Sequence, residues 1–79
     1  MKDFVKRMIN EHKELLDRID KLDQNVYIYN KDDKLEFANK CVQLKCMRGY
    51  ADALVCRLHN QGVEFSAGQY FEKVADIHE

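Results

Sequence analysis

No proline interrupts the 79 residues of this chain, and its only glycines stand at 49, 62 and 68. Proline and glycine are the strongest local breakers of regular structure. Before residue 62, then, almost nothing stops a helix once it has begun, and long helices are the expectation.

The apolar pattern agrees. Val5, Met8, His12, Leu15, Ile19, Leu22 and Val26 recur at alternating steps of three and four, a heptad stripe that puts every member on one helical face. Phe4, Ile9 and Leu16 widen it. Arg7 with Glu11, Glu14 with Arg18 and Asp17 with Lys21 pair at i,i+4 on the remaining surface, each pair adding about 0.3 kcal/mol. This segment reads as a helix over residues 3–27.

Residues 30–34, Asn-Lys-Asp-Asp-Lys, have the polar composition of a turn. Asp33 followed three residues later by Glu36 resembles a capping box, so a second helix is expected over 33–60, with Gly62 just past its end as the C′ residue. Phe37, Leu44, Met47, Ala51, Leu54 and Leu58 form one seam of that helix, interrupted by Lys40. Val42, Cys46, Gly49, Ala53 and Cys56 form another, all small except Val42. Two apolar seams call for two packing partners. The first should meet the first helix in a hairpin; the second fits close approach by a C-terminal helix or by a second copy of the chain. Gly49 mid-helix loses about 1 kcal/mol of propensity relative to alanine, which suggests a tight contact there.

In the tail, Ser66 suits an N-cap, Gln69 its N3 position, and Phe65 with Tyr70 a hydrophobic staple. Tyr70, Phe71, Val74 and Ile77 then give one apolar face to a short helix over 67–78. The expected architecture is all-α: one domain over 1–79, with an antiparallel hairpin over 3–61 and a short amphipathic C-terminal helix. A core this small gains from self-association, so assembly into a homo-oligomeric bundle is expected.

Chemistry is sparsely signalled. No Ser/His/Asp order, nucleophile elbow, phosphate-binding loop, dinucleotide-binding glycine pattern or HExxH is present, and no residue is nominated as catalytic. The chain reads as a non-enzyme without a cofactor. Cys56-x-x-His59 shares a helical face, but Cys41 and Cys46 are five apart and lack zinc-site spacing; no metal is expected, and Cys46 and Cys56 read as small buried thiols. Three cysteines behind a charged Met1-Lys2-Asp3 start, with no apolar leader or membrane span, fit reduced thiols in a cytoplasmic protein. His12, on the first seam, is either a core histidine or a ligand-contacting, pH-sensitive one.

Charge is unevenly spread. Lys40, Lys45, Arg48 and Arg57 against Asp52 give residues 37–62 a charge of +3, while Glu64, Glu72, Asp76 and Glu79 against Lys73 give residues 63–79 a charge of −3. The signs favour a tail docked along the second helix. Four cations on a chain of net charge −1 are too few for a nucleic-acid footprint. They either pair with tail carboxylates or grip a small anion, Arg48 and Arg57 holding phosphates while Tyr50, Tyr27 or Tyr29 stacks on a base.

The opening MKDFVKRMI with Glu11-His12-Lys13-Glu14-Leu15 and Ile19-Asp20-Lys21-Leu22 resembles a family of short proteins encoded by tailed phages, related to a crAss-like phage gene product. Glu36-Phe37-Ala38, Gln43-Leu44-Lys45-x-Met47 and Tyr50-x-x-Ala53-Leu54-x-x-Arg57-Leu58 are similar to its second helix, so the resemblance covers residues 1–62. It implies an accessory protein acting in the host cytoplasm. In size and helical content the chain also resembles the sponge proteins that trap cyclic oligonucleotides or cyclic ADP-ribose products. By that likeness it sequesters a nucleotide-derived immune signal. The likeness supplies no ligand positions; the cations, ring and seam histidine of this chain nominate Arg48, Arg57, Lys45, Tyr50 and His12 as ligand residues, and its small-residue seam nominates Cys46, Gly49, Ala53 and Cys56 for an oligomer interface. The alternative is an inhibitor or adaptor that docks an amphipathic helical face on a host defence protein.

Overall fold

The computed structural model describes residues 1–29 and 33–73, with 27–29 described by their backbone alone. Two helices of equal length, α1 (Asp3–Tyr29) and α2 (Lys34–Asn60), precede two short strands, β1 (Val63–Ser66) and β2 (Gln69–Glu72).

Each end of α2 follows from local chemistry. The Asp33 carboxylate accepts a hydrogen bond from the Glu36 backbone N–H at 2.9 Å, satisfying one of the amides a helix start leaves open. At the other end the N–H of Gln61 donates to Leu58 and that of Gly62 to His59, with Gly62 at φ +83°. That left-handed conformation suits glycine, as expected of the C′ position.

The helices pack as the predicted antiparallel hairpin. Val5, Met8, Leu15, Ile19 and Val26 of α1 are buried against Leu44, Ala51, Leu54 and Leu58 of α2, with Leu54 and Leu58 fully enclosed. At i,i+4, Lys21 pairs with Asp17 at 2.9 Å on the outer surface of α1.

The C-terminal helix expected over 67–78 is not formed in the described residues; its first part is a β-hairpin, and residues 74–78 lie outside them. β1 and β2 pair antiparallel with Phe65 opposite Tyr70 and Ser66 opposite Gln69. The two residues between the strands, Ala67 and Gly68, both have positive φ, +52° and +78°. That combination defines the two-residue turn whose twist matches paired strands. The supposed staple, Phe65 with Tyr70, is therefore a cross-strand contact with ring centroids 4.9 Å apart.

The β-hairpin closes the open end of the helical pair. Val63 is buried in the common core. Phe65 meets the His12 ring edge-on at 4.7 Å, and the Tyr70 hydroxyl and His12 Nδ1 share a hydrogen bond at 2.5 Å. His12, the one buried polar residue among those described, thus bonds an element 58 positions away. Burial holds its pKa below the ordinary histidine value, with Asp52 pulling weakly the other way, and burial raises that of Tyr70. Both are neutral near pH 7, so the bond joins two uncharged groups. The tail docks on its own chain through this contact and through Lys73, whose Nζ lies 3.3 Å from His59 Nδ1 of α2; within the tail the same Nζ reaches Glu64 at 3.6 Å.

Within the described chain the second seam of α2 has no helix packed against it. Val42, Cys46, Gly49, Ala53 and Cys56 are all exposed, and a side chain at Gly49 would meet nothing within 4 Å. The thiols expected to be buried, Cys46 and Cys56, are exposed, as is Cys41. With the C-terminal helix replaced by a β-hairpin at the end of the bundle, nothing of the described chain lies against this seam.

Candidate functional site

A groove of about 270 Å³ lies between the helices, lined by Asp23 and Val26 of α1 and Phe37, Cys41, Leu44 and Arg48 of α2. Val26 and Leu44 are buried and form its apolar floor. Phe37, which continues the first seam of α2, is 45% exposed and presents ring surface at the rim. Arg48 is placed there by helical spacing: eleven residues, about three turns, separate it from Phe37, so both fall on the flank of α2 that borders α1.

The guanidinium Nη2 of Arg48 lies 3.6 Å from Asp23 Oδ1, with both side chains more than half exposed. Such a pair contributes at most about 1 kcal/mol, so an incoming anion can take the place of Asp23. Nearby, Lys40 Nζ donates to Asn25 Oδ1 at 2.6 Å and ties the two helices together. The groove thus combines an apolar floor, an aromatic edge and a weakly engaged cation. Its volume lies just under the range of about 300–1,000 Å³ typical of ligand pockets and suits one base or one phosphate-bearing ring.

Of the residues singled out as ligand contacts, only Arg48 lines this groove. Arg57 is nine residues on, about two and a half turns, which sets it on the opposite flank of the helix; one ligand in the groove cannot be held by both. Tyr50, 44% exposed, lies on the Arg57 side. Lys45 is exposed and lies one turn before Arg48, rotated towards the outer face of α2. His12 is buried and engaged with Tyr70, a structural role. Tyr27 and Tyr29 fall where only the backbone is described, and Val74 and Ile77 lie outside the described residues. Among the described residues Arg48 pairs with Asp23 of α1 and not with a tail carboxylate.

Asp23 and Phe37 had no part in the predicted site. Phe37 was visible only as a seam residue, and Asp23 belongs to the site through the register between helices, for which a single sequence carries no local signal.

A second groove of about 290 Å³, lined by Met1, Lys2, Val5, Asn60, Gln61, Val63 and Glu72, lies where the β-hairpin meets the helix ends. It carries one lysine and one glutamate and no exposed aromatic ring, a weaker match to an anionic aromatic ligand. Among the described residues no group of three His, Cys, Asp or Glu side chains is placed to hold a metal ion, and no described helix is long and apolar enough to cross a membrane.

Comparison with known families finds a match to the model described as Sequestin over residues 2–60, which takes in both helices and ends before β1. That is nearly the span of the resemblance drawn from the sequence, under the name Sequestin in place of the crAss-like label. No curated protein and no solved structure matches the chain.

Proposed function

The chain belongs to the Sequestin family, and from that premise we propose that it is a non-enzymatic binding protein that sequesters a small nucleotide-derived signal, as a phage protein countering host defence. The family name supports sequestration. The observation that carries the ligand class is the groove, where Arg48 and the exposed ring of Phe37 border one apolar floor. A guanidinium binds phosphate through paired N–H donors, and an aromatic ring offers a stacking face to a base. Arg48 is the anion contact, Phe37 the stacking contact, and Asp23 the carboxylate that occupies Arg48 until ligand arrives.

The test is calorimetric titration with cyclic dinucleotides and cyclic ADP-ribose derivatives. Wild type should bind at least one of them. Arg48→Ala should weaken that binding about tenfold or more, the value of a charge-assisted hydrogen bond, and Asp23→Asn should strengthen it. Equal binding by wild type and Arg48→Ala removes this site. Failure of every ligand to bind wild type turns the reading to the protein inhibitor, which must then act without the amphipathic tail helix first expected of it.

A further inference from the structure

We propose that the outer face of α2 binds a second copy of this chain, forming a two-fold antiparallel helix pair centred between Cys46 and Gly49. The face is apolar and open: Leu35 is 73% and Val42 62% exposed, and Cys46, Gly49, Ala53 and Cys56 continue the stripe. Gly49 weakens the helix, yet among the described residues a Cβ there would meet nothing within 4 Å. Its lack of a side chain gains a purpose once another helix lies against it.

The charges flanking the stripe select the occupant. In a two-fold antiparallel pair each flank faces the same flank of the other copy, so the surface must complement itself. One flank carries Lys45 and Asp52, the other Glu36 and Arg57, each flank holding one charge of each sign. Setting Cys46 opposite Gly49 of the second copy brings Val42 opposite Ala53, Lys45 opposite Asp52, and Glu36 opposite Arg57. Large residues then meet small ones along the centre, and four ion pairs form at the positions that set orientation in paired helices. Among the described residues none of these four side chains has an ion-pair partner within its own chain. A parallel pair in register would bring Cys46 to Cys46 and keep only the two Asp52–Arg57 contacts across the seam, two ion pairs in place of four. The antiparallel register also leaves the Arg48 groove of each copy facing outward, so pairing and ligand binding are separable.

The experiment is sedimentation equilibrium of the full chain over a concentration series. Wild type should approach twice the 9.4 kDa chain mass. Lys45→Asp alone and Asp52→Lys alone should each weaken pairing by about tenfold or more, since each creates two like-charge contacts, and the double reversal should restore it. Both are exposed surface sites, so circular dichroism should show unchanged helix in each reversal variant. In a Cys41→Ser, Cys56→Ser background, Gly49→Cys should oxidise to a covalent dimer through the native Cys46 of the other copy. A wild type that stays monomeric, or a dimer that both single reversals leave intact, overturns the proposal.

Discussion

The two faces of α2 carry similar numbers of apolar residues and meet opposite fates. Leu44, Ala51, Leu54 and Leu58 are at most 5% exposed beneath α1, whereas Leu35 and Val42 on the outer face keep most of their surface in solvent. Sequence alone sees two seams; only the presence of a partner makes one of them a core. A hairpin of two helices can cover one face of each, and among the described residues the β-hairpin over the open end does not reach the other.

The sharpest way to break this contrast is to truncate one residue on each face. In the Lys45→Asp background, where pairing is weakened, Leu54→Ala should lower the unfolding free energy by about 3 kcal/mol through lost burial and an unfilled cavity. Val42→Ala should leave it within about 0.5 kcal/mol. Urea titration reads both, and equal effects would mean the outer face is covered within the single chain.

The closed end offers the next test. Tyr70→Phe leaves His12 Nδ1 buried without its partner, and should cost about 1–2 kcal/mol. The same contact sets a pH dependence. Because burial lowers the folded-state pKa of His12, the unfolded chain binds the proton more readily, so stability is fully present above about pH 6.5 and declines as pH falls below it. For Tyr70, whose folded-state pKa is raised, the unfolded chain gives up its proton first, so stability declines again above about pH 10. Thermal unfolding across pH should show the acid-side loss in wild type and lose it in His12→Phe.

Smaller effects of opposite sign follow from backbone. Gly49→Ala should stabilise the single chain by about 1 kcal/mol, because helix propensity rises and the added methyl meets nothing, while weakening the pair. Ala67→Asn should add about 0.5 kcal/mol, asparagine tolerating the left-handed conformation that Ala67 adopts. Both are measured by shifts of the urea midpoint.

Much of the fold was legible because its causes are local. The α1 stripe from Val5 to Val26, the Asp33 cap and the Gly62 stop each depend on neighbours within a turn or two. The tail was misread because Phe65-Ser-Ala-Gly-Gln-Tyr carries two local signals at once, a helix cap and a two-residue strand turn. What distinguishes them is His12, far away in sequence, whose edge contacts and hydrogen bond reward the hairpin. The Arg48 site was half legible for a related reason. Its cation stood out by charge, and helical arithmetic already separates Arg57 from it, but Asp23 and the exposure of Phe37 arise only from the way the two helices align.

The most direct test of sequestration is native mass spectrometry of the protein mixed with cyclic dinucleotides and cyclic ADP-ribose derivatives, followed by denaturation and recovery of whatever was bound. The account predicts a discrete ligand mass on wild type, diminished in Arg48→Ala, and a recovered ligand identical to the one supplied. A ligand returned cleaved would contradict simple binding, and no added mass with any of these compounds would contradict the ligand class itself.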